Sequence, residues 1–361
     1  MTGAGERAKR KRPALATLLV AWFMRSRRDL PWRKTKDPYA IWLSEVMLQQ
    51  TRVKTVLDYY PRFLRAYPTV EKLARADVAD VLSAWSGLGY YRRARALHAG
   101  AREVIERYGG KLPREAAALR EISGIGPYTA GAISSIAFGA KEALVDGNVA
   151  RVLARIFGLT CDVRTPAGSR QIWALAEELV PDDDPGPYNE SLMELGATVC
   201  LPGEPRCGEC PVNALCVARA KGLEGEIPVA KKKKPPREVD LIAVVSRRGS
   251  DVLLGRRKEG GLFGGLWEPP MVELGPRERA EASLSSLVGT GVVGLEVVGE
   301  QTHVLTHRKF RITIARARVS GEPVASGGTY DRFAWQKASQ LGALGMSSLA
   351  KKILLAFPES P

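Results

Sequence analysis

The sequence predicts a multidomain protein, an all-α domain closed by a cysteine-rich loop and followed by a smaller α+β domain. Three observations lead there. Its 361 residues exceed the usual span of one domain. From about Ala14 to Leu215, helix signals broken by Pro and Gly dominate, with little two-residue alternation. Beyond the tract Lys231 to Pro236, KKKKPP, the pattern changes to short alternating or β-branched runs separated by glycine-rich turns. The expected division is a basic tail over 1–13, a helical domain over 14–228, a linker over 229–237 and an α+β domain over 238–361.

The tail carries Arg7, Lys9, Arg10, Lys11 and Arg12 without the apolar core of a signal peptide, so it reads as a solvated segment with weak phosphate contact. Asp37 and Pro38 then suit the N-cap and first position of a helix reaching Gln50. Inside it, Glu45 has Ile41, Trp42, Leu48 and Gln49 as helical neighbours, which places a carboxyl on a mostly apolar stripe. Burial there would raise its pKa and let it hold a proton at neutral pH, as a general acid must. A surface glutamate at the edge of the stripe is the plainer alternative.

Residues 119–138 read as helix, Gly124-Ile125-Gly126, helix, with Gly124 suited to a C-terminal cap and Pro127 to the next helix's first residue. This is a helix–hairpin–helix signature. Gly124 and Gly126 permit close backbone approach, and amides at the following helix start can take a DNA phosphate without reading bases. An ordinary αα-hairpin would share the pattern. Asp146-Gly147-Asn148 precedes an amphipathic helix carrying Val149, Val152, Leu153 and Ile156 on one side. Asp146 alone is an N-cap candidate. Paired with a protonatable Glu45, an ionised Asp146 supplies the anion that cleavage of a glycosidic bond through an oxocarbenium ion requires.

Four of the five cysteines, Cys200, Cys207, Cys210 and Cys216, fall in one loop over 200–216. Cys207 and Cys210 share a tight turn among several prolines, which disfavours disulfides and favours a metal centre. Clustered Cys₄ ligation suits a [4Fe–4S] cube; structural zinc, which usually takes two tight knuckles, is the rival because only one interval here is short. Cys161 stands apart and reads as a packing residue. Beyond the linker, the runs 240–246, 251–254 and 310–319 read as strands.

Lys and Arg outnumber Asp and Glu to give a net charge of +15, which favours a polyanionic partner such as nucleic acid. The absence of an apolar run of about 18 residues argues against a membrane span.

Taken together, these segments resemble the MutY-type adenine DNA glycosylases, within the helix–hairpin–helix glycosylase superfamily. The similarity rests on Leu30-Pro-Trp-Arg33, Asp37-Pro-Tyr39, Trp42-Leu-Ser-Glu-Val-Met-Leu-Gln-Gln-Thr51 and Gly87-Leu-Gly-Tyr-Tyr-Arg-Arg-Ala-Arg95, with the hairpin, Asp146-Gly-Asn-Val149 and the cysteine quartet. The endonuclease III branch shares the last three features. Its bifunctional members, however, carry a lysine nucleophile where this chain has Tyr128 and lack the glutamate corresponding to Glu45. Without that lysine a Schiff base has no nucleophile, Lys141 reading as a loop residue, so base excision alone is expected.

The resemblance implies that Glu45 protonates adenine at N7 and that Asp146 stabilises the sugar cation, directly or through transient attachment. It implies that Tyr128 and Asn148 support them, that Arg33 contacts the extruded adenine, and that Gln50, Leu88 and Tyr90 fill the vacated stack. The C-terminal domain resembles the family's Nudix-like domain, which checks the opposite strand for 8-oxoguanine. Gly261-Leu-Phe-Gly-Gly-Leu-Trp-Glu-Pro269 carries that similarity. Only Glu278 and Glu281 stand where a working Nudix helix would hold divalent metal, so nucleotide hydrolysis is not expected. The recognition loop is His303-Val-Leu-Thr-His307, where the family has Phe-Ser-His; Thr306 keeps a hydroxyl, His307 is retained, and Leu305 replaces the ring.

The expected substrate is duplex DNA with adenine opposite 8-oxoguanine or guanine. The expected cofactor is a [4Fe–4S] cluster, in a monomeric, nucleoid-associated protein of a bacterial cytoplasm. A mismatch pyrimidine glycosylase, an endonuclease III-like glycosylase/lyase and a non-catalytic iron–sulfur DNA-binding protein are the alternatives; a thymine offers no N7 to a Glu45 acid.

Overall fold

The computed structural model describes residues 3–229, 235–274, 279–325 and 328–356. Two compact units form, Met1–Arg75 with Ala96–Lys232, and Ala76–Arg95 with Lys233–Pro361. Lys231 to Lys234 of the expected linker lie outside the described residues.

The first unit is helical. It opens with α1 (Gly3–Ser26), so the stretch expected to be a solvated tail is instead the first half of a helix. The physical reason is apolar spacing: Ala8, Leu15, Leu19 and Phe23 recur on one face, and all are buried. The Lys11 ammonium donates to the Leu215 carbonyl at 2.5 Å, and Arg12 pairs with Asp182.

Next come α2 (Pro38–Leu48), α3 (Val53–Ala66) and α4 (Val70–Arg75). Asp37 caps α2 as expected, accepting from the Tyr39 and Ala40 amides at 3.1 and 3.3 Å. From Tyr39 to Met47 every residue of α2 is buried, so the helix has no solvent face there and Glu45 does not sit at the edge of a stripe.

After α5 (Val78–Ala84), α6 (Arg92–Tyr108) contains the boundary between the units. The hairpin follows as α7 (Ala116–Leu119) and α8 (Pro127–Ala132), the latter continuing as a π-helical turn, Ile133–Ala137. The first hairpin helix thus stops at Leu119, before the glycines, because the Ile122 and Ile125 amides turn back onto the Leu119 and Ile122 carbonyls. Gly124 has φ +82°, and a Cβ there would meet the Ala96 Cβ at 2.8 Å, so both backbone and packing require glycine. The unit is completed by α9 (Gly147–Phe157), α10 (Pro166–Leu179), α11 (Pro185–Thr198) and α12 (Val217–Lys221). α9 packs against α10, α11 and α12.

The second unit holds eight strands among the described residues: β1 (Arg237–Val245), β2 (Arg247–Arg248), β3 (Asp251–Arg257), β4 (Trp267–Glu268), β5 (Met271–Glu273), β6 (Val292–Val304), β7 (Arg308–Val319) and β8 (Tyr330–Lys337). One sheet has the order β5-β1-β7-β6, parallel only between β1 and β7; in the other, β3 pairs with β2, β4 and β8. Along β1, Val239, Ala243 and Val245 face a core covered by α14 (Ser348–Leu355), while Ile242 and Val244 face one covered by α13 (Ala280–Val288). A strand buried on both faces explains its continuous apolar run.

Residues 76–95 join this unit rather than the helical one. Ser83 and Ser86 donate to the Ala343 and Met346 carbonyls at 2.7 Å each, and the Tyr91 hydroxyl donates to Met346 O at 2.8 Å. The expected boundary at residue 238 therefore misses a segment that lies early in the chain.

Candidate active site

Glu45 projects from the third turn of α2 and is 5 % exposed. The Tyr128 hydroxyl, on α8, donates to Glu45 Oε2 at 2.5 Å and lies 3.2 Å from the Met193 thioether. Burial pushes the Glu45 carboxyl up to about 7; the Tyr128 bond pulls the other way, and the negative charge of Asp146 adds to the rise. Glu45 and Asp146, far apart in sequence, therefore share one electrostatic environment.

Asp146 is the N-cap of α9, and its two oxygens are held separately. Oδ1 accepts from the Val149 amide at 2.7 Å and Oδ2 from the Asn148 side chain at 3.0 Å. Burial raises its pKa, opposed by these hydrogen bonds and by Arg151. The capping role and a chemical role thus coexist in one carboxylate.

From Asn148 the contacts run on toward the cysteine loop. The Arg151 guanidinium donates to Asn148 Oδ1 at 2.9 Å, to Gly196 O at 2.8 Å and to Cys200 O at 2.9 Å. One turn along α9, buried Arg155 donates to Leu201 O and Ile227 O at 2.8 Å each and approaches Cys200 Sγ at 3.3 Å. Gly196 is needed for this approach, since a Cβ there would meet the Asn148 Cβ at 2.6 Å.

Cys200, Cys207, Cys210 and Cys216 are free of disulfides and line a single pocket with Arg155 and Arg219. Burial pushes the Cys210 thiol up to about 11. Among the described residues no group of His, Cys, Asp or Glu is arranged to hold one metal ion.

Arg33 reaches the same buried region and supports Glu45 in ionised form. Its guanidinium donates to Glu194 Oε2 at 2.9 Å and stands 3.5 Å from Glu190. Arg28 grips Glu194 in a fork at 2.8 and 2.6 Å. Burial opposes ionisation of Glu194, but these two arginines prevail and hold it at about 2. Burial instead raises Glu190. Arg28, Arg151, Met193 and the two α11 glutamates were not singled out from sequence. The signal was present for the glutamates: carboxyls four residues apart on a largely buried helix, the same anomaly that marks Glu45.

The expected wedge residues separate. Gln50 is exposed with φ +58°, and Tyr90 is 48 % exposed with φ +48°, both backbone conformations unusual for non-glycine residues. Leu88 is buried, 5 % exposed, so it packs in the interior of its unit rather than standing at the surface. Gly126 caps α8 with no atom near its missing side chain.

In the second unit the Tyr90 hydroxyl and Thr306 Oγ1 lie 3.0 Å apart. Both line a cavity of about 560 Å³, together with Leu305 and His307. Arg277 and Glu278 lie outside the described residues; Glu281 is engaged by the Leu295 amide at 3.0 Å. Among the described residues no helix is long and apolar enough to cross a membrane.

Residues 43–181 match the HhH-GPD superfamily of base excision DNA repair proteins, and residues 241–356 match the NUDIX domain. The adenine DNA glycosylases of Rattus norvegicus and Homo sapiens are each 36 % identical over 94 % of this chain, covering 77 % and 73 % of those proteins. Among solved structures, a thermostable thymine-DNA glycosylase aligns with TM-score 0.54 at 32 % identity, over 59 % of this chain and 98 % of its own. A non-covalent endonuclease III–DNA complex aligns with TM-score 0.51 at 21 % identity, over 60 % of this chain and 98 % of its own, a likeness of fold. With both units matched and relatives similar along nearly its whole length, the chain belongs to the adenine DNA glycosylase family.

Proposed function

We propose that this protein hydrolyses the N-glycosidic bond of adenine mispaired with 8-oxoguanine or guanine in duplex DNA, and leaves the strand uncut. The observation that carries this reading is the buried Glu45 carboxyl, held at about 7 and bonded to Tyr128. An acid of that pKa keeps a useful protonated fraction at neutral pH and still gives its proton readily. Once the adenine is out of the helix, Glu45 protonates N7 and the base leaves as neutral adenine. Asp146 faces the developing sugar cation, and water completes the hydrolysis. Tyr128 stands where a lyase would carry its lysine, so no imine forms. Arg33, already oriented by Glu190 and Glu194, supplies fixed donors to the base.

The four cysteines suit a [4Fe–4S] cluster. Four cysteines on one short loop with a single tight interval match clustered ligation of a cube better than the two tight knuckles usual for structural zinc, and the four line one shared pocket. Arginines at the pocket wall offset the negative charge of a thiolate-bound cube. Cys200, Cys207, Cys210 and Cys216 would hold such a cluster in the loop that Arg151 and Arg155 tie to α9, where it would supply structural order rather than a hydrolytic step.

Similarity to a thymine-DNA glycosylase favours a second reading, removal of a mismatched pyrimidine. Glu45 argues against it, because thymine has no N7. A single-turnover assay on adenine:8-oxoguanine, adenine:guanine and thymine:guanine duplexes decides. Adenine release that leaves the strand intact until alkali is added is expected; direct nicking or thymine release would overturn the proposal.

A further inference from the structure

Tyr128 has one proton to give and two acceptors beside it. Its hydroxyl stands 2.5 Å from Glu45 Oε2 and 3.2 Å from Met193 Sδ, and a phenol O–H serves only one of them at a time. Which one depends on Glu45. An ionised carboxylate takes the proton, because a charge-assisted bond is roughly twice as strong as a neutral one. When Glu45 instead carries a proton on Oε2, two O–H groups would face each other, so the acid donates to a tyrosine lone pair and the tyrosine proton must find another acceptor. The thioether of Met193 is within reach. Met193 lies on α11, one residue before Glu194, and is partly buried. A leucine would fill much the same space without offering a lone pair.

We propose that Met193 is a positioning residue for adenine release: its sulfur accepts the Tyr128 proton while Glu45 is protonated, and the hydroxyl returns to the carboxylate once the base has taken the acid's proton. This role rests on Glu45 being the acid of the proposed function. No covalent bond changes at Met193 or Tyr128; the phenol keeps its proton and turns about its C–O bond. Without the sulfur, the protonated acid would leave a buried O–H without a partner, whereas the carboxylate form would lose nothing. Met193 therefore favours the acid form alone and extends the pH range over which Glu45 stays protonated. The other influences on Glu45 come from several elements. Burial raises it most, Tyr128 on α8 opposes, Asp146 at the head of α9 and Glu190 on α11 add to the rise, and Arg33, in the turn Pro31–Arg33, opposes. Of the remaining elements packed on α2, α3 presents Tyr60 as its buried titratable residue, turned to the Ala40 carbonyl at 3.3 Å, and the π-helical turn holds no titratable residue. Exchanging Met193 for Leu leaves all of these charges in place.

The test compares full-length wild type, Met193→Leu, Tyr128→Phe and the double variant by two pH profiles. One is single-turnover adenine release from an adenine:8-oxoguanine duplex; the other is urea unfolding without DNA, with Glu45→Gln as the baseline that does not titrate at this position. Met193→Leu is expected to move the alkaline limb of the rate profile down by about half a pH unit. The fall in stability that Glu45 causes as pH rises should end at a pH lower by the same amount. Met193→Ile, a second variant without the sulfur, should repeat both shifts. In the Tyr128→Phe background the same exchange should move neither profile, because no hydroxyl is left to turn to the sulfur. The unfolding arm reads that background even where adenine release is slow. Equal shifts with and without the Tyr128 hydroxyl, or a rate lowered at every pH with both profiles unmoved, overturn the proposal and leave Met193 a packing residue. Unfolding profiles that shift as expected in a wild-type protein that releases no adenine would sink the glycosylase reading and leave the hydrogen-bond exchange at Glu45 standing.

Discussion

The two units hold their functional side chains in opposite ways. In the helical unit Glu45 and Glu194 are almost without solvent contact, and Asp146 has a separate donor on each oxygen. In the other, Tyr90, Thr306 and His307 stand exposed around an open cavity. Under the proposed function the difference follows from the tasks. Bond cleavage needs a proton and a negative charge fixed beforehand in a dry place, at a cost in stability; recognition needs groups that a large ligand can reach. The first site should therefore respond to substitution in rate and stability together, and the second in discrimination with little change in either.

The largest effect should come from Glu45→Gln. Adenine release is expected to fall at least about a thousandfold in single turnover, and the wild-type rate should decline above pH 7 as the acid ionises. Stability should move the other way. A carboxyl whose folded pKa is raised to about 7 contributes most below its ordinary range and loses that contribution as pH rises through 7. Gln keeps the bond to Tyr128 without titrating, so at pH 8 the variant should gain stability on the order of 3 kcal/mol by urea unfolding. A variant that is inactive but no more stable would mean that Glu45 is solvated. Glu194→Ala should instead destabilise the protein by about 3–5 kcal/mol, since it leaves Arg28 and Arg33 facing each other without their carboxylate. With Glu194 held at about 2, its contribution is full above the ordinary carboxylate range and lost as pH falls toward 2. Acid unfolding of the variant should lack that component.

Arg151→Gln is expected to lower the rate of base release by about tenfold to a hundredfold with smaller changes in duplex affinity, because Asn148 loses the donor that orients it against Asp146. An equal loss in rate and affinity would indicate general loosening of the cysteine loop. This arginine also shows where sequence reading stops. Glu45 and the cysteines stand out in the sequence because each violates a local expectation, a carboxyl among apolar neighbours and thiols crowded into one loop, whereas Asp146 reads locally as an ordinary N-cap and gains a chemical meaning only when paired with Glu45. Arg151 and Arg28 violate nothing locally, in a chain rich in arginine; their meaning comes from Cys200, Asn148 and Glu194, residues that only folding brings to them. The same limit explains α1 and residues 76–95. Charge obscured a helical face marked only by Ala8, Leu15, Leu19 and Phe23, and an amphipathic helix does not state which unit will cover its apolar side. Strands β1, β3 and β7 were visible as β-branched runs. β6 and β8 were not, because their exposed, mixed faces lack clean alternation.

The smallest effect, and the sharpest test of the contrast, lies at Thr306. Its hydroxyl and that of Tyr90 meet at 3.0 Å at an exposed position, where water can replace the bond and it adds little to folding stability, while one neutral hydrogen bond from a hydroxyl to the bound duplex would contribute about 1 kcal/mol. Thr306→Ala and Tyr90→Phe should each reduce the preference for adenine:8-oxoguanine over adenine:guanine duplexes by roughly fivefold, and leave urea unfolding within about 0.5 kcal/mol of wild type. If both hydroxyls serve the same contact, the double variant should lose little more than either single one. Additive losses would mean that each reads the lesion independently. Loss of adenine release on both duplexes alike would show that the exposed site governs the chemistry as well as the choice of duplex, and the division of labour between the units would fail.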